Sequence, residues 1–210
     1  MASETPPPDQ LGTPPELTSG QAQLVDFDRL HPGDVVALDR YLRSKEREHQ
    51  QAVKEGRQDD YEQRFAPYAA ALDHHLTELP EHDTDRARAV YGAFADSPHE
   101  SDRGGAARMI DSLTASDREY GLVLWDRLIR DPNPAVRQEA LNQIGDCLGT
   151  STAEEAEPAL QRLGITWFDV SRLLHAYIRA EHGTGTADPD EMGELALRRL
   201  IQPPSAEPED

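Results

Sequence analysis

The residues with the most evident chemical potential are histidines and aspartates in the first half of the chain. Asp73, His74 and His75 are consecutive, and His82 and Asp83 follow shortly after them. Imidazole and carboxylate groups are common ligands of divalent metals. Consecutive residues on a helix point about 100° apart, however, so His74 and His75 cannot easily bind one ion. The pattern therefore favours solvated histidines on a helix face, and we predict no metal site.

A second group of potentially reactive residues is equally sparse. Cys147 is the only cysteine, so the chain cannot form an internal disulfide. It falls on an apolar helix face without an adjacent base, which is typical of a buried structural thiol. We find no catalytic constellation and no cofactor-binding motif, so the sequence predicts a protein that is not an enzyme and carries no cofactor.

The one dense basic segment lies in the first predicted helix. It interleaves basic and acidic side chains, namely Arg40, Arg43, Lys45, Arg47, Glu46 and Glu48. Opposite charges three and four residues apart pair along a helix surface. This spacing favours a solvated helix face over a binding patch.

Residues 160–174, LQRLGITWFDVSRLL, resemble the turn and second helix of a helix-turn-helix, in which the second helix enters the major groove of DNA. Pro158 and Leu160 depart from that pattern. The alternative is an ordinary helix capped by Thr166, with Asp169 as the partner of the cap. Its core would then comprise Phe168, Val170, Leu174, Tyr177 and Ile178.

The charge of the chain bears on the choice between these alternatives. Net charge is −19, and residues 34–202 alone hold 32 acidic and 20 basic residues, a net charge of −12. Such a body repels phosphate backbones unless its basic residues cluster. We therefore expect a basic protein partner rather than nucleic acid.

Composition also indicates where the protein works. Arginine supplies 19 of the 21 basic residues, a bias typical of GC-rich bacterial genomes. The N-terminus shows no secretory signal, and no apolar run approaches the roughly 20 residues of a membrane span. A cytoplasmic protein without a membrane segment is the expectation.

Helical periodicity dominates between two polar ends. We predict a disordered tail over 1–22, a helical domain over 23–202 and a disordered acidic tail over 203–210. Within the domain, helices are expected at about 34–57, 59–79 with a break at Pro67, 84–96, and 102–113, where Gly104 and Gly105 allow close backbone approach. Ser116 and Glu119 form a capping box that starts the next helix.

The stretch DPNPAVRQEAL, 131–141, predicts a helix stop followed at once by a helix start. Asp131 precedes a proline and leaves the α region, Asn133 suits an N-cap, and Pro134 suits the first helical position. The helix that follows places an apolar stripe on one face, consisting of Val136, Ala140, Ile144 and Cys147.

This unit repeats an earlier one. Arg103, Ala106 and Ile110 recur as Arg137, Ala140 and Ile144, each 34 residues later. The Asp, the Pro-containing turn and the Val-Arg-x-x-Ala-x-x-x-Ile pattern resemble the HEAT-repeat family, best over 82–148. The resemblance implies an all-α fold of about eight or nine helices, a short HEAT-like α-solenoid of antiparallel helix pairs with additional flanking helices.

The same resemblance implies a non-enzymatic protein–protein interaction module, a scaffold or adaptor. Two alternatives stay open: nucleic-acid binding through 160–174, and an enzyme on a HEAT-like scaffold. The second helices of successive pairs form the usual binding face of such arrays. On that face the candidate binding residues are Arg108, Asp111, Arg137, Gln138 and Asn142.

Overall fold

The computed structural model describes residues 26–148 and 153–182, and within these ranges it contains helices and no strand. A 3₁₀ turn at Phe27–Arg29 precedes ten α-helices. They are α1 Pro32–Lys54, α2 Tyr61–Arg64, α3 Ala66–His82, α4 Thr84–Ala95, α5 Glu100–Arg108, α6 Ile110–Ser116, α7 Arg118–Ile129, α8 Pro134–Leu148, α9 Ala153–Leu163 and α10 Trp167–His182. The predicted all-α class is confirmed, whereas the predicted tails at 1–22 and 203–210 lie outside the described residues.

Two of the predicted helices are each divided in two, so the described residues contain ten α-helices, above the eight or nine expected. The predicted 59–79 segment breaks at Phe65 into α2 and α3. Pro67 then occupies the first turn of α3, where its missing N–H costs no hydrogen bond. The predicted 102–113 segment breaks at Met109, whose ψ of 0° lies outside the helical range.

Capping residues set the helix starts on either side of α7. The expected Ser116 cap is wrong, because Ser116 is the last residue of α6. Asp117 caps α7 instead, and its carboxylate accepts a hydrogen bond from the Tyr120 N–H at 3.4 Å. At the start of α8 the prediction is confirmed, since Asn133 Oδ1 accepts from the Ala135 N–H at 2.8 Å.

The core forms where these helices face one another. Helix α4 packs against α5, α7 against α8, and α5 lies along α8. Trp125 of α7 is fully buried, and its Nε1–H donates to the Ala140 carbonyl of α8 at 2.9 Å. Ala140 is itself 0% exposed, as expected for a small residue where two helices meet. The predicted stripe of α8 is buried throughout.

Helices α6 and α7 approach each other closely at Gly121. A Cβ added at Gly121 would lie 2.6 Å from the Cα of Thr114, so only glycine permits this spacing. The expected close approach at Gly104 is wrong: a Cβ there would meet nothing within 4 Å.

Further helices pack on both ends of the central helix pairs. Helix α1 packs on α3 and α4, whereas α9 packs on α6 and α8, and α10 packs on α7 and α8. In the described part of the chain, no helix combines the length and apolar character needed to cross a membrane.

Candidate binding cleft

Helices α1, α5 and α8 enclose a cleft of about 380 Å³. Four arginines line it, namely Arg40, Arg43, Arg47 and Arg108. Three glutamates alternate with them, namely Glu46, Glu100 and Glu139. We refer to this space as the arginine cleft.

Helical spacing places three of the arginines on one face of α1. Arg40, Arg43 and Arg47 follow one another at intervals of three and four residues, which brings side chains to the same side of a helix. The basic segment that the sequence predicted to be a solvated helix face therefore forms one wall of the cleft. Helix α5 forms another wall, and its last residue, Arg108, supplies the fourth guanidinium.

A buried ion pair fixes α1 against α5. The Arg40 Nε–H donates to both carboxylate oxygens of Asp102, at 3.2 and 3.0 Å. Asp102 is 1% exposed and also accepts from the Ser97 hydroxyl at 2.6 Å. Because a buried carboxylate is stable only when it is paired and hydrogen-bonded, this contact sets how α1 lies across the cleft.

Arg43 is held by a second carboxylate on its own helix. Its Nε–H donates to Asp39 Oδ2 at 2.7 Å. Burial raises the pKa of Asp39 above its usual range, although the hydrogen bond and charge of Arg43 act in the opposite direction. The pair thus holds the Arg43 side chain in place at the edge of the cleft.

The other two arginines have few partners. Arg47 Nε–H donates to the Arg43 carbonyl at 3.3 Å. Arg108 forms an ion pair with Glu139, with Nη1 and Oε1 3.6 Å apart, and donates no hydrogen bond within the described residues. Since a guanidinium carries five N–H donors, most of the donors of both side chains remain available to a ligand.

The floor of the cleft is formed by small and apolar groups. Gly104 of α5 is buried but leaves room for a side chain, and Ala135 and Val136 lie opposite in the first turn of α8. A ligand would therefore meet apolar surface below and charged groups around the rim.

Only one of the five predicted binding residues, Arg108, lines the arginine cleft. Arg137 donates to Glu181 of α10 at 2.6 Å, and Gln138 accepts from the Tyr177 hydroxyl of the same helix at 2.9 Å. Asn142 accepts from Gln138 at 2.8 Å. Asp111 of α6 is half-buried and does not line the arginine cleft. Helix α10 thus covers part of the α8 surface that the sequence predicted to bind a partner.

The predicted repeat has a structural counterpart at its two arginines. Arg103 Nη1–H donates to the Ser97 carbonyl at 3.0 Å, and Arg137 Nη1–H donates to the Asp131 carbonyl at 2.8 Å. Each bond spans six residues, so both guanidinium groups close the turn that precedes their helix. Arg103 also donates to the carboxylate of Asp131 at 2.7 Å and so links one unit to the next.

The other predicted constellations lie away from the cleft. Cys147 is buried as expected, and burial raises the pKa of its thiol to about 11. His74 is exposed, while the ring of His75 packs against Phe27 with centroids 5.3 Å apart. Among the described residues, no group of three or more potential ligands could hold a metal ion.

The segment 160–174 forms two helices joined by a short turn. Gly164 has a φ of 65°, a conformation that favours glycine, and the Ile165 N–H donates to the Leu160 carbonyl at 3.1 Å. Thr166 and Asp169 form the expected capping box, with the Thr166 N–H donating to the Asp169 carboxylate at 2.9 Å. The expectation that Phe168 belongs to the core is wrong, because the first turn of α10 points it outward and leaves it 77% exposed.

Sequence reasoning missed the part played by Asp-Arg dipeptides. In Asp102-Arg103 and in Asp117-Arg118, the aspartate accepts from an arginine of an earlier helix, and the arginine donates to a later aspartate. The later partners are Asp131 and Asp169. The recurrence of this dipeptide was a visible signal, but the partners are too far apart in sequence to be paired without a structure.

Comparison with known proteins identifies no relative. The chain matches no family model, and no curated protein sequence or solved structure is significantly similar to it.

Proposed function

We propose that the protein is a non-enzymatic protein-interaction module and that it binds its partner in the arginine cleft. The observation that carries the proposal is the set of guanidinium N–H groups on Arg47 and Arg108 that donate no hydrogen bond within the described residues, at the junction of three helices. Arginine is enriched at protein interfaces and at their energetic hot spots, since its planar fork gives directional contacts.

The architecture that we propose for this module is a short HEAT-like solenoid. It is supported by the pairing of α4 with α5 and of α7 with α8, and by the contact of α5 with α8. The equivalent bonds of Arg103 and Arg137, 34 residues apart, also support it. In such an array the second helices line one surface, and α5 and α8 are walls of the arginine cleft.

The lining also agrees with a protein partner. A ligand in the cleft would contact the backbone of Gly104 and the side chains of Ala135 and Val136, and would be surrounded by charged groups. An apolar centre with a polar rim is the usual anatomy of a protein interface.

The test is to fill the cleft without disturbing the core. Gly104→Gln adds a side chain where a Cβ has free space, and Ala115→Gln is the matched control on an exposed position of α6. Each variant and the wild-type protein is used for affinity capture from cells of the source organism, followed by mass spectrometry. We expect a partner that the wild type and Ala115→Gln retain and Gly104→Gln loses. Equal capture by all three proteins would contradict the cleft as the site.

A second candidate function is DNA binding through α9 and α10. It is favoured by the left-handed Gly164 in the turn, together with the exposed side chains of Phe168 and Arg172 at the start of α10. The acidic balance of the chain opposes it. The enzyme hypothesis has no observation among the described residues in its favour.

A further inference from the structure

The arginine cleft contains several guanidinium N–H groups that donate no hydrogen bond within the described residues. Arg108 donates no hydrogen bond within the described residues, and Arg47 donates one, to a backbone carbonyl. Arg40 uses Nε and Nη2 on Asp102, which leaves the Nη1 hydrogens available. The guanidinium fork matches a carboxylate or a phosphate in a bidentate arrangement. Arg47 and Arg108 are exposed, and an anionic acceptor in the cleft would complete the hydrogen bonding of their N–H groups.

The glutamates of the cleft distinguish between the two anions. Glu46, Glu100 and Glu139 lie among the arginines, and each would repel the nearly doubly charged phosphate more strongly than a carboxylate. A peptide also carries a series of backbone N–H groups that can donate to these glutamates, whereas inorganic phosphate near neutral pH has only one or two hydroxyl hydrogens. The mixture of positively and negatively charged side chains in the cleft therefore suits a peptide better than a phosphate.

We infer that the arginine cleft binds a segment of a partner protein that presents aspartate or glutamate side chains. This inference rests on the proposed function and adds the chemistry of the partner. The inferred acidic segment differs from the basic partner that net charge alone predicts. The reason is that the arginine donors are concentrated in the cleft, whereas the excess of acidic residues is spread over the rest of the protein.

The acidic body limits how many charges the partner can carry. At physiological ionic strength, interactions between exposed charges are screened beyond about 8 Å. Carboxylates in contact with Arg47 and Arg108 gain their full local attraction, while a long polyanion would extend over acidic surface. The segment should therefore contain isolated acidic residues, separated by small or apolar ones that meet Ala135 and Val136.

The test measures fluorescence anisotropy of the full chain with a short labelled peptide. The probe contains glycine, alanine and leucine interrupted by isolated aspartates and glutamates. A second peptide replaces these acids by asparagine and glutamine, and a third replaces them by lysine. The double variant Arg47→Ala/Arg108→Ala removes the available donors, and Arg130→Ala is the control, because Arg130 is an exposed arginine that pairs with Asp126 on its own helix.

We expect the acidic peptide to bind, the amide peptide to bind at least about tenfold more weakly, and the double variant to show a loss of similar size. Arg130→Ala should bind as the wild type does. Preference for the lysine peptide, an undiminished affinity in the double variant, or displacement of the peptide by millimolar inorganic phosphate would each overturn the inference. If only the amide or lysine peptide binds and Gly104→Gln blocks it, the proposed function stands without this partner. If no peptide binds and capture is insensitive to Gly104→Gln, both fail.

Discussion

At the scale of single residues, buried carboxylates paired with arginines are the recurring feature of this protein. Among the described residues, five aspartates with less than a tenth of their surface exposed accept hydrogen bonds from arginine, namely Asp39, Asp102, Asp117, Asp131 and Asp169. Burying an ion pair gains little over an apolar contact of the same shape, but removing one partner is costly. Asp39 pairs with Arg43 of its own helix, and the other four pairs join different segments of the chain. Those four pairs therefore fix how helices align more than they add to total stability.

The first prediction concerns the most buried of these carboxylates. Asp102→Ala should lower the free energy of unfolding by about 3 kcal/mol, because it leaves Arg40 without its charge partner in a half-buried position. Glu81→Ala, an exposed acid on α3, is the control and should change stability by less than about 0.5 kcal/mol. Urea unfolding followed by circular dichroism measures both. Equal stability of the two variants would contradict the anchoring role of Asp102.

The second prediction uses two aspartates whose pKa values shift in opposite directions. The hydrogen bond from Arg88 lowers the pKa of Asp117, so its ionised form stabilises the folded state above the unfolded pKa, near about 4. That contribution is lost as pH falls through the lower, folded pKa. Burial raises the pKa of Asp39, so its contribution is present at low pH and is lost as pH rises through the folded pKa.

The corresponding variants should therefore show opposite pH dependence. The wild type should exceed Asp117→Asn in melting temperature most clearly near neutral pH, with the difference shrinking below about pH 4. Its difference from Asp39→Asn should fall as pH rises. Melting curves by circular dichroism from about pH 3 to about pH 7 measure both differences. Two differences that vary with pH in the same direction would contradict the assignment.

At the scale of elements, the sequence predicts more of the fold than of the site. Local signals such as Asn133-Pro134 and the stripe of α8 act within a few residues, and they were sufficient to place that helix start and its buried face. The sequence did not predict the break at Met109. Phe168 lies three and four residues before Ser171 and Arg172, so helical spacing alone already places it on the polar side of α10, away from the buried stripe. The arginine cleft needs Arg40 next to Asp102, sixty-two residues away. No local pattern encodes that contact.

A third prediction follows from two glycines within helices. Gly121→Ala should destabilise the fold by about 1–3 kcal/mol, since the new Cβ would overlap the backbone of Thr114 and push α7 away from α6. Gly104→Ala has free space at its Cβ and should stabilise its helix by up to about 1 kcal/mol. Thermal melting should move down for the first and up for the second. A rise for Gly121→Ala would mean that α6 and α7 lie farther apart than described.

At the scale of the whole molecule, the distribution of charge matters more than its sum. The chain carries −19 overall, yet four arginines converge on one cleft. Composition predicted the acidic body, but it could not predict that three arginines of α1 would meet a fourth from α5. The same reasoning applies near α10. Arg118 of α7 donates to Asp169 of α10 at 2.8 Å, so its charge is already paired and contributes little to a DNA-binding surface.

The last prediction therefore concerns duplex DNA, the second candidate ligand. Arg172 and Arg179 are exposed on α10, but an acidic body surrounds them, and phosphate binding depends on several clustered cations that release counterions. We expect fluorescence anisotropy with mixed-sequence duplexes to stay flat even at low salt. The variants Arg172→Ala and Phe168→Ala should behave in the same way. Binding in the micromolar range that weakens steeply with salt and disappears in Arg172→Ala would instead show that α10 reads DNA, since an exposed phenylalanine and arginine at the start of that helix would then contact the groove.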